Sequence, residues 1–294
     1  MINIDHYLAE KKEIINRALK KCQPAAGPTA VREAMNYSLE AGGKRLRPIL
    51  ALAAAETFGH DDDNVLDVAC ALELVHTYSL IHDDLPAMDD SDLRRGKPTC
   101  HKVYGEAIAV LAGDALLTLA FEILSSYGLK TGQAEKALRI SAELSKAAGV
   151  NGMIGGQVLD LEAEGQDLSI PDIETISVMK TGSLLKASVV CGALAAEAGE
   201  KVLNQLDIYA FKIGTAFQIV DDLLDLESSP EVLGKPTRAD QERYKSTFPA
   251  VLGPDKARSK AEMLYHEAIA ALDALNQPTE LLSGLAHKLV YRTK

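Results

Sequence analysis

Two dense clusters of aspartate lie inside segments that are otherwise strongly apolar, and this placement limits the possible folds more than any other sequence feature. The first cluster, SLIHDDLPAMDDSDLRRGKPT, spans residues 79–99 and is rich in aspartates that run directly into two arginines. The second, FQIVDDLLDLESS, spans residues 217–229. Two carboxylates about 5 Å apart repel by roughly 3 kcal/mol at an effective dielectric near 20. The fold must therefore bring cations to these aspartates or leave them in water.

The second cluster has the spacing of one helix face. Gln218, Asp221, Asp222 and Asp225 lie at positions i, i+3, i+4 and i+7, which share one side of an α-helix. The opposite face carries apolar residues that can pack inside a bundle: Phe217, Ile219, Val220, Leu223 and Leu224. An acidic run is most often a solvated helix end. Two such runs inside apolar segments instead favour an inward-facing site.

The geometry of the first cluster leaves two alternatives open. Asp83 and Asp89 are six residues apart and would lie about 120° from each other on an ideal helix. Pro86 lacks a backbone donor and disturbs the turn, so a bulge or a helix end at LPAM could bring Asp89 to the Asp83 side. Without that irregularity Asp90, at i+7, is the better aligned partner.

The chemistry of these ligands indicates a hard cation. Carboxylate oxygens without an accompanying cysteine pair select Mg²⁺ or Ca²⁺ over zinc. The segment DDLPAMDDSDLR lacks the alternating ligands, central glycine and final glutamate of an EF-hand loop. Mg²⁺ completes its shell with water and substrate phosphates. Two clusters therefore predict a phosphorylated substrate bridged by several Mg²⁺ ions.

The rest of the chain predicts an all-α fold. Apolar residues recur at helical spacing, short Gly, Pro, Asn and Asp clusters separate the segments, and no convincing period-2 strand is present. We expect about ten to twelve helices in one bundle, with no linker dividing residues 1–294 into two domains. In such bundles polar sites are built from side chains that project inward.

Composition limits location and partners. The amino-terminal residues lack the apolar core of a signal peptide, and the most apolar stretches are interrupted by charge or are shorter than the about 20 residues a membrane span needs. Four cysteines without CxxC spacing are typical of reduced thiols in the cytoplasm. The net charge of -11 argues against nucleic acid as a partner.

Basic residues occur in places that suit a diphosphate. The segment AGGKRLRP places Lys44 and Arg47 on one helix face after two glycines, and the arginine pair Arg94 and Arg95 can bind phosphate through two nitrogens each. Any one of these residues, or His76, has an ordinary structural explanation. The inference of a diphosphate site depends on finding these basic residues together with the two aspartate clusters in one chain. The further candidates are Lys180 in KTG, and Lys235 and Lys245 around GKPTRADQERYKS.

In this order, GGKRLRP, HDDLPAMDDSDLRRGKPT, KTG and FQIVDDLLD make the chain closely resemble the trans-isoprenyl diphosphate synthases over essentially its whole length. The match is nearest to bacterial farnesyl diphosphate synthases. The resemblance implies a helical bundle of the isoprenoid synthase type around a deep central cavity. It also implies a homodimer and the joining of isopentenyl diphosphate to an allylic diphosphate with about two or three Mg²⁺ ions, for which Mn²⁺ can substitute.

The resemblance also assigns roles by position. It implies metal binding by Asp83, Asp84, Asp89, Asp221, Asp222 and Asp225. It implies isopentenyl diphosphate binding by Lys44, Arg47, His76 and Arg95. It implies contact with the allylic diphosphate by Arg94, Lys180, Thr181, Gln218, Lys235 and Lys245. The catalytic residues implied are Lys180, Arg94, Asp83 and Asp221.

Chain length is expected to depend on Tyr78 and Ser79, which precede the first aspartate motif. This pattern, with the LPAM spacing, resembles enzymes that make the C15 product, although Tyr78 could also be a plain core residue. The loop GKPTRADQERYKST departs from the family, which usually has glycine where Arg238 and Tyr244 stand. That departure puts the loop's closure over the allylic diphosphate in question.

Three alternatives remain at this point. The product could be geranylgeranyl diphosphate or another short prenyl diphosphate. The chain could be a catalytically silent subunit, although such a subunit has no need for so many mutually repelling carboxylates. A metal-dependent terpene cyclase would also ionise an allylic diphosphate, but it would lack the second diphosphate site that Lys44, Arg47 and His76 imply.

Overall fold

A computed structural model describes residues 2–60, 63–227 and 246–292, and within these ranges nearly all regular structure is helical, as the apolar periodicity predicted. Two five-residue helices and a π-helix, Val178–Gly182, add to the longer ones. The helices are α1 Ile4–Lys21, α2 Thr29–Glu40, α3 Leu46–Thr57, α4 Asp63–Asp83, α5 Cys100–Tyr104, α6 Glu106–Thr131, α7 Ala134–Ala148, α8 Met153–Glu162, α9 Ile170–Ser177, α10 Ser183–Ala195, α11 Glu200–Glu227, α12 Phe248–Leu252, α13 Pro254–Asp273 and α14 Glu280–Val290.

Local sequence sets several helix ends. At the start of α9, the Ser169 and Asp172 side chains form a capping box and Pro171 occupies the first turn. Asn3 accepts a hydrogen bond from the His6 backbone N–H and caps α1. These contacts satisfy backbone donors that have no partner within the helix.

Small side chains let the central helices approach closely. Helix α4 packs against α3 and α6, and α10 packs against α3. A β carbon at Gly192 of α10 would lie 2.1 Å from the backbone oxygen of Ala51 in α3, so only glycine permits this separation. The alanine-rich composition is therefore explained by tight helix packing at the centre of the bundle.

A two-stranded hairpin is the one departure from the expectation that the chain has no strands. Leu93–Arg94 and Lys97–Pro98 pair antiparallel, with Arg95 (φ 57°) and Gly96 (φ 75°) in left-handed conformations at the turn. Strands of two residues are too short to give a period-2 pattern. The Tyr37 hydroxyl donates to the Pro98 carbonyl at 2.7 Å and ties the hairpin to α2. The hairpin thereby fixes where both arginines project.

Among the residues that the structure describes, three helical segments are long and apolar enough to cross a membrane by length and composition alone. The expectation that every apolar stretch is too short or too charged for a membrane span was therefore wrong. In two segments, Asn64–Asp83 and Ile170–Ala195, 67% of the most apolar 18-residue stretch is buried in the bundle. Their apolar composition is explained by this burial. In the third segment, α6, only 39% of the corresponding 18-residue stretch is buried. Much of the apolar surface of α6 faces outward.

Candidate active site

A cavity of about 640 Å³ brings together residues from both aspartate motifs and from all the basic segments that the structure describes. Helices α3, α4, α8 and α11, the π-helix and the hairpin all contribute to its wall. The predicted site residues on this wall are Lys44, Arg47, His76, Ser79, Asp83, Arg94, Arg95, Lys180, Thr181, Gln218 and Asp221.

The first aspartate motif folds as a helix end, which is one of the two irregularities that the sequence allowed. Helix α4 stops at Asp83, and the backbone N–H of Asp89 donates to the Asp83 carbonyl at 2.8 Å across a turn containing Pro86. The Asp89 carboxylate is close enough to raise the pKa of both Asp83 and Asp84. Asp90 is left-handed (φ 46°), and its charge acts on Lys102 instead. Asp89 therefore faces Asp83, and Asp90 points elsewhere.

Burial destabilises the charge on Asp83. It raises the pKa of this carboxyl group from 3.8 to about 6, and Asp89 adds to the rise while Lys180 opposes it. Asp84 is 3% exposed, and its carboxylate accepts hydrogen bonds from Arg94 Nε and Nη2 at 2.7–2.8 Å. Burial nevertheless leaves the pKa of Asp84 raised. Arg94 thus neutralises the charge of Asp84. The carboxylate of Asp83 remains destabilised by burial, and a bound cation would stabilise it.

The three aspartates of the second motif have different environments. Asp221 lines the large cavity, and Arg292 Nη2 lies 3.0 Å from its Oδ1. The Arg292 guanidinium also stacks 4.1 Å from the Phe217 ring centroid. Asp222 accepts from the Gln218 amide at 2.8 Å and from the Phe248 N–H at 3.3 Å, beside a smaller cavity of about 130 Å³. Asp225 is 7% exposed. Only Asp221 of this motif lines the large cavity.

Lys180 lies in the π-helix and lines the large cavity. Such a single π turn inside a helical segment is frequent at functional sites. Its Nζ lies 2.7 Å from Asp160 Oδ2 of α8. The close packing needs small residues, because a β carbon at Gly156 would lie 2.2 Å from the Lys180 backbone nitrogen. Thr181 follows in the same π-helix and lines both cavities. The local fold therefore holds the positively charged Lys180 side chain between α8 and the aspartate motifs.

The basic side of the cavity centres on the loop before α3. Gly42 (φ 82°) and Gly43 (φ 129°) adopt conformations that favour glycine, and Arg95 Nη1 donates to the Gly42 carbonyl. Burial lowers the pKa of Arg47 to about 10, so it stays charged at neutral pH. Burial and the surrounding arginines lower the pKa of His76 well below 6.5. His76 is therefore a neutral imidazole beside several cations.

The donor set fits Mg²⁺ bound together with a substrate. Within residues 2–60, 63–227 and 246–292, no three His, Cys, Asp or Glu side chains form a complete metal site. The aspartates near the cavity offer only oxygen, which suits Mg²⁺. Such ions take one or two carboxylates and complete their shell with water and phosphate oxygens. The oxygen donors of the aspartates therefore fit a Mg²⁺ ion whose remaining ligands are water and phosphate oxygens.

Some predicted residues lie away from the large cavity or outside the described ranges. Tyr78 is 5% exposed, makes an edge contact with the His82 ring at 5.7 Å between centroids, and has a buried hydroxyl without a hydrogen-bond partner among described residues. Ser79 lines the cavity and donates to the His76 carbonyl at 2.9 Å. Four residues of the predicted allylic loop lie outside the described ranges: Lys235, Arg238, Tyr244 and Lys245.

Several residues at the two cavities were missed by the sequence analysis, and three of them are charged residues that contact predicted site residues or line the wall beside them. Asp160 lines the smaller cavity and pairs with Lys180. It follows Gln157 at i+3 on α8, and this polar pair on one helix face could have been noticed. Glu73 precedes His76 by one turn of α4, but a single acidic residue in an apolar helix gave no chemical signal. Arg292 is distant in sequence from every motif and reaches the site only through tertiary packing.

Comparisons with known proteins give one consistent family. The sequence profile described as polyprenyl synthetase matches residues 28–280. The chain is 44% identical to the farnesyl diphosphate synthase of Bacillus subtilis, covering 97% of each protein. It is 46% identical to the geranylgeranyl diphosphate synthase of Cyanophora paradoxa, covering 90% of this chain and 89% of that one. The apo crystal structure of an FPP/GFPP synthase from Zymomonas mobilis superposes with a TM-score of 0.85 at 38% identity, covering 98% of both chains.

Proposed function

This chain belongs to the polyprenyl synthetase family, and we propose that it is a (2E,6E)-farnesyl diphosphate synthase. It condenses isopentenyl diphosphate first with dimethylallyl diphosphate and then with geranyl diphosphate, releasing diphosphate each time. The observation that carries this proposal is the single cavity with an acidic side, at Asp83 and Asp221, and a basic side, at Arg47 and Arg95. Such a cavity accommodates two diphosphates of which only one needs metal.

The two diphosphates are proposed to occupy opposite sides. Lys44, Arg47, His76 and Arg95 are proposed to bind isopentenyl diphosphate directly, since three of them are cations and all four line the same cavity. Neutral His76 contributes an N–H donor instead of a charge. The allylic diphosphate lies by the aspartates and contacts Arg94, Lys180, Thr181 and Gln218. Lys235 and Lys245 are proposed for the same side.

Three events make up each round of chain elongation. The allylic carbon–oxygen bond breaks, and Lys180 and Arg94 stabilise the charge that develops on the leaving diphosphate. When bound, Mg²⁺ neutralises diphosphate oxygens as a Lewis acid. The cavity holds the allylic cation against the double bond of isopentenyl diphosphate and away from water. A carbon–carbon bond forms, and the released diphosphate takes the proton that the product loses.

The metal, assembly and location remain proposals. About two or three Mg²⁺ ions are held by Asp83, Asp84 and Asp89 on one side and by Asp221, Asp222 and Asp225 on the other, with Mn²⁺ as a substitute. The position of Asp89 beside Asp83 supports Asp89 over Asp90 as the third residue of the first set. We further propose one polyprenyl synthase domain over residues 1–294, a cytoplasmic homodimer, and no membrane span.

The deciding experiment incubates the purified protein with isopentenyl and dimethylallyl diphosphates and sizes the products, with Mg²⁺ or with a chelator. We expect a C15 product that requires Mg²⁺. A C20 product would identify a geranylgeranyl diphosphate synthase, which the similar identities to both kinds of relative make the second candidate. No turnover of the protein alone would indicate a silent subunit, and allylic substrate consumed without isopentenyl diphosphate would indicate a cyclase. Either of the last two results would defeat the proposal.

A further inference from the structure

Arg45, between the cavity residues Lys44 and Arg47, has a backbone conformation that its residue type disfavours. Its φ is 50° and its ψ is 33°, at the residue immediately before α3. A β carbon crowds the backbone in this left-handed region, so residues other than glycine occupy it only when their surroundings hold them there. The contacts of the Arg45 side chain show what holds it.

The guanidinium of Arg45 joins three helices to the start of α3. Nη1 donates to Glu73 Oε1 of α4 at 2.6 Å, Nη2 donates to the Leu39 carbonyl of α2 at 2.5 Å, and Nε donates to Asn16 Oδ1 of α1 at 3.0 Å. The side chains of Arg45 and Glu73 are only 3% and 1% exposed. Because three different nitrogens are used, a lysine cannot reproduce this set of contacts.

This anchor fixes the segment that carries the basic side of the cavity. Lys44 and Arg47 line the cavity on either side of Arg45 in sequence. Arg95 packs against Gly43, where a β carbon would lie 2.5 Å from its Cζ, and it donates to the Gly42 carbonyl. The placement of three cations therefore depends on the conformation of one short loop.

Glu73 also faces the same cations from the cavity wall. Its Oε2 is buried and has no hydrogen-bond partner among the described residues. Burial lowers the pKa of Arg47 and of Arg95, whereas Glu73 raises both and so favours their charged forms. One buried carboxylate thus anchors the loop through Oε1, and its negative charge favours the charged forms of Arg47 and Arg95.

We propose that the buried Arg45–Glu73 ion pair is the positioning element of the second diphosphate site. Both residues line the cavity, and their role is to hold Lys44, Arg47 and Arg95 at the spacing that one diphosphate requires. This inference rests on the proposed function for the identity of that ligand, isopentenyl diphosphate. It concerns the geometry of the basic side alone, so it can be tested separately from the reaction.

The test replaces the whole pair by apolar residues, Arg45→Met with Glu73→Leu. Exchange of a buried ion pair for apolar side chains is often neutral or stabilising, so we expect a melting temperature within about 5 °C of wild type. The left-handed conformation then loses its anchor and the loop shifts. We expect the KM for isopentenyl diphosphate to rise about tenfold or more, while the KM for the allylic substrate stays within about twofold.

A binding measurement without turnover gives an independent result. Inorganic diphosphate titrated calorimetrically in EDTA probes the basic side, because the acidic side repels the anion when no metal is present. We expect wild type to bind it and the double variant to bind about tenfold more weakly. Glu56→Gln is the matched control, because Glu56 pairs with Lys11 at 2.5 Å at the far end of α3. It is expected to match wild type in both assays.

Each outcome decides the inference. A folded double variant with wild-type KM and wild-type diphosphate affinity overturns it, since the pair would then serve stability only. If the double variant does not fold, Arg45→Lys decides in the same assays: values within about twofold of wild type overturn the inference, and a loss of about tenfold supports it. If wild type binds diphosphate but does not couple isopentenyl diphosphate, the proposed function fails, while the diphosphate titration still decides the role of the ion pair.

Discussion

His76 is a histidine that should not titrate near neutral pH. Burial comes first among the causes that hold its pKa well below 6.5, followed by the charges of Arg47 and Arg95. A folded-state pKa below the unfolded value means that the imidazole stays neutral as pH falls through 6.5, where a free histidine would gain a proton. We therefore expect the KM for isopentenyl diphosphate to show no histidine inflection between about pH 6 and 8.

The control for this prediction is His76→Gln, which keeps a neutral donor. The substrate diphosphate itself titrates near pH 6, and that contribution must appear equally in both proteins. The two pH profiles of KM should therefore be parallel. An inflection present in wild type and lost in His76→Gln would show that His76 gains a charge in this range.

Tyr78 tests whether chain length is set at a single side chain. It is buried against the His82 ring five residues before Asp83 and does not line the large cavity. Its proposed role in limiting chain growth therefore depends on the family resemblance. Tyr78→Ala removes the tyrosine ring, and we expect the product distribution to shift from C15 toward C20 and longer. Tyr78→Phe is the matched variant because the hydroxyl has no hydrogen-bond partner among the described residues. Product sizing should give C15 for Tyr78→Phe, and C15 from Tyr78→Ala would remove Tyr78 from the cavity floor.

At the scale of elements, the π-helix that carries Lys180 depends on a glycine in a different helix. A β carbon at Gly156 would lie 2.2 Å from the Lys180 nitrogen, a contact with backbone that no side-chain rotation can relieve. We expect Gly156→Ala to displace Lys180 and lower kcat about tenfold to a hundredfold, since small displacements of a positioned group are costly. Steady-state assays should find the KM for isopentenyl diphosphate within about threefold of wild type, because its residues lie on other elements.

Gly199→Ala is the control for this element. No atom lies within 4 Å of a β carbon built at Gly199, and its backbone is not left-handed. Its kcat should equal that of wild type, and melting curves should show that both variants are folded. A wild-type kcat in Gly156→Ala would mean that the π-helix accommodates the methyl group without moving Lys180.

The elements themselves were largely readable from the sequence, because each helix depends on a local apolar period. The face shared by Asp221, Asp222 and Asp225 followed from spacing alone, and the family resemblance is confirmed. The hairpin at Arg94 was not readable, since its strands are two residues long. The π-helix at Lys180 was equally hidden, because no residue type in VMKTG marks one extra residue in a turn. Its close packing against Gly156 is likewise a tertiary contact that no local pattern encodes.

At the scale of the whole molecule, contacts between distant segments could not be predicted. Arg292 reaches Asp221, and Arg45 joins Asn16 to Glu73, through the arrangement of helices that no local pattern encodes. The sequence identified which residues carry charge and which resemble family motifs. It did not reveal which carboxylates form an ion pair with a basic side chain of the protein. In the structure Asp84 forms such a pair with Arg94, whereas burial raises the pKa of Asp83.

Assembly is the remaining property of the whole molecule, and we propose the outer surface of α6 as the interface of the proposed homodimer. Three apolar side chains on α5 and α6 are exposed: Val103 by 47%, Val110 by 39% and Leu111 by 53%. Of the three long apolar segments described above, α6 has the highest mean hydropathy and the smallest buried share. Homodimer interfaces are more apolar than other surfaces, so we expect Leu111→Glu to weaken a homodimer about a hundredfold or more by burying an unpaired charge. Met263→Glu on α13, at a residue 51% exposed, is the matched control and should leave assembly unchanged. Sedimentation velocity at micromolar concentration should give a dimer for wild type and Met263→Glu and a monomer for Leu111→Glu, whereas a dimeric Leu111→Glu protein would place the interface elsewhere.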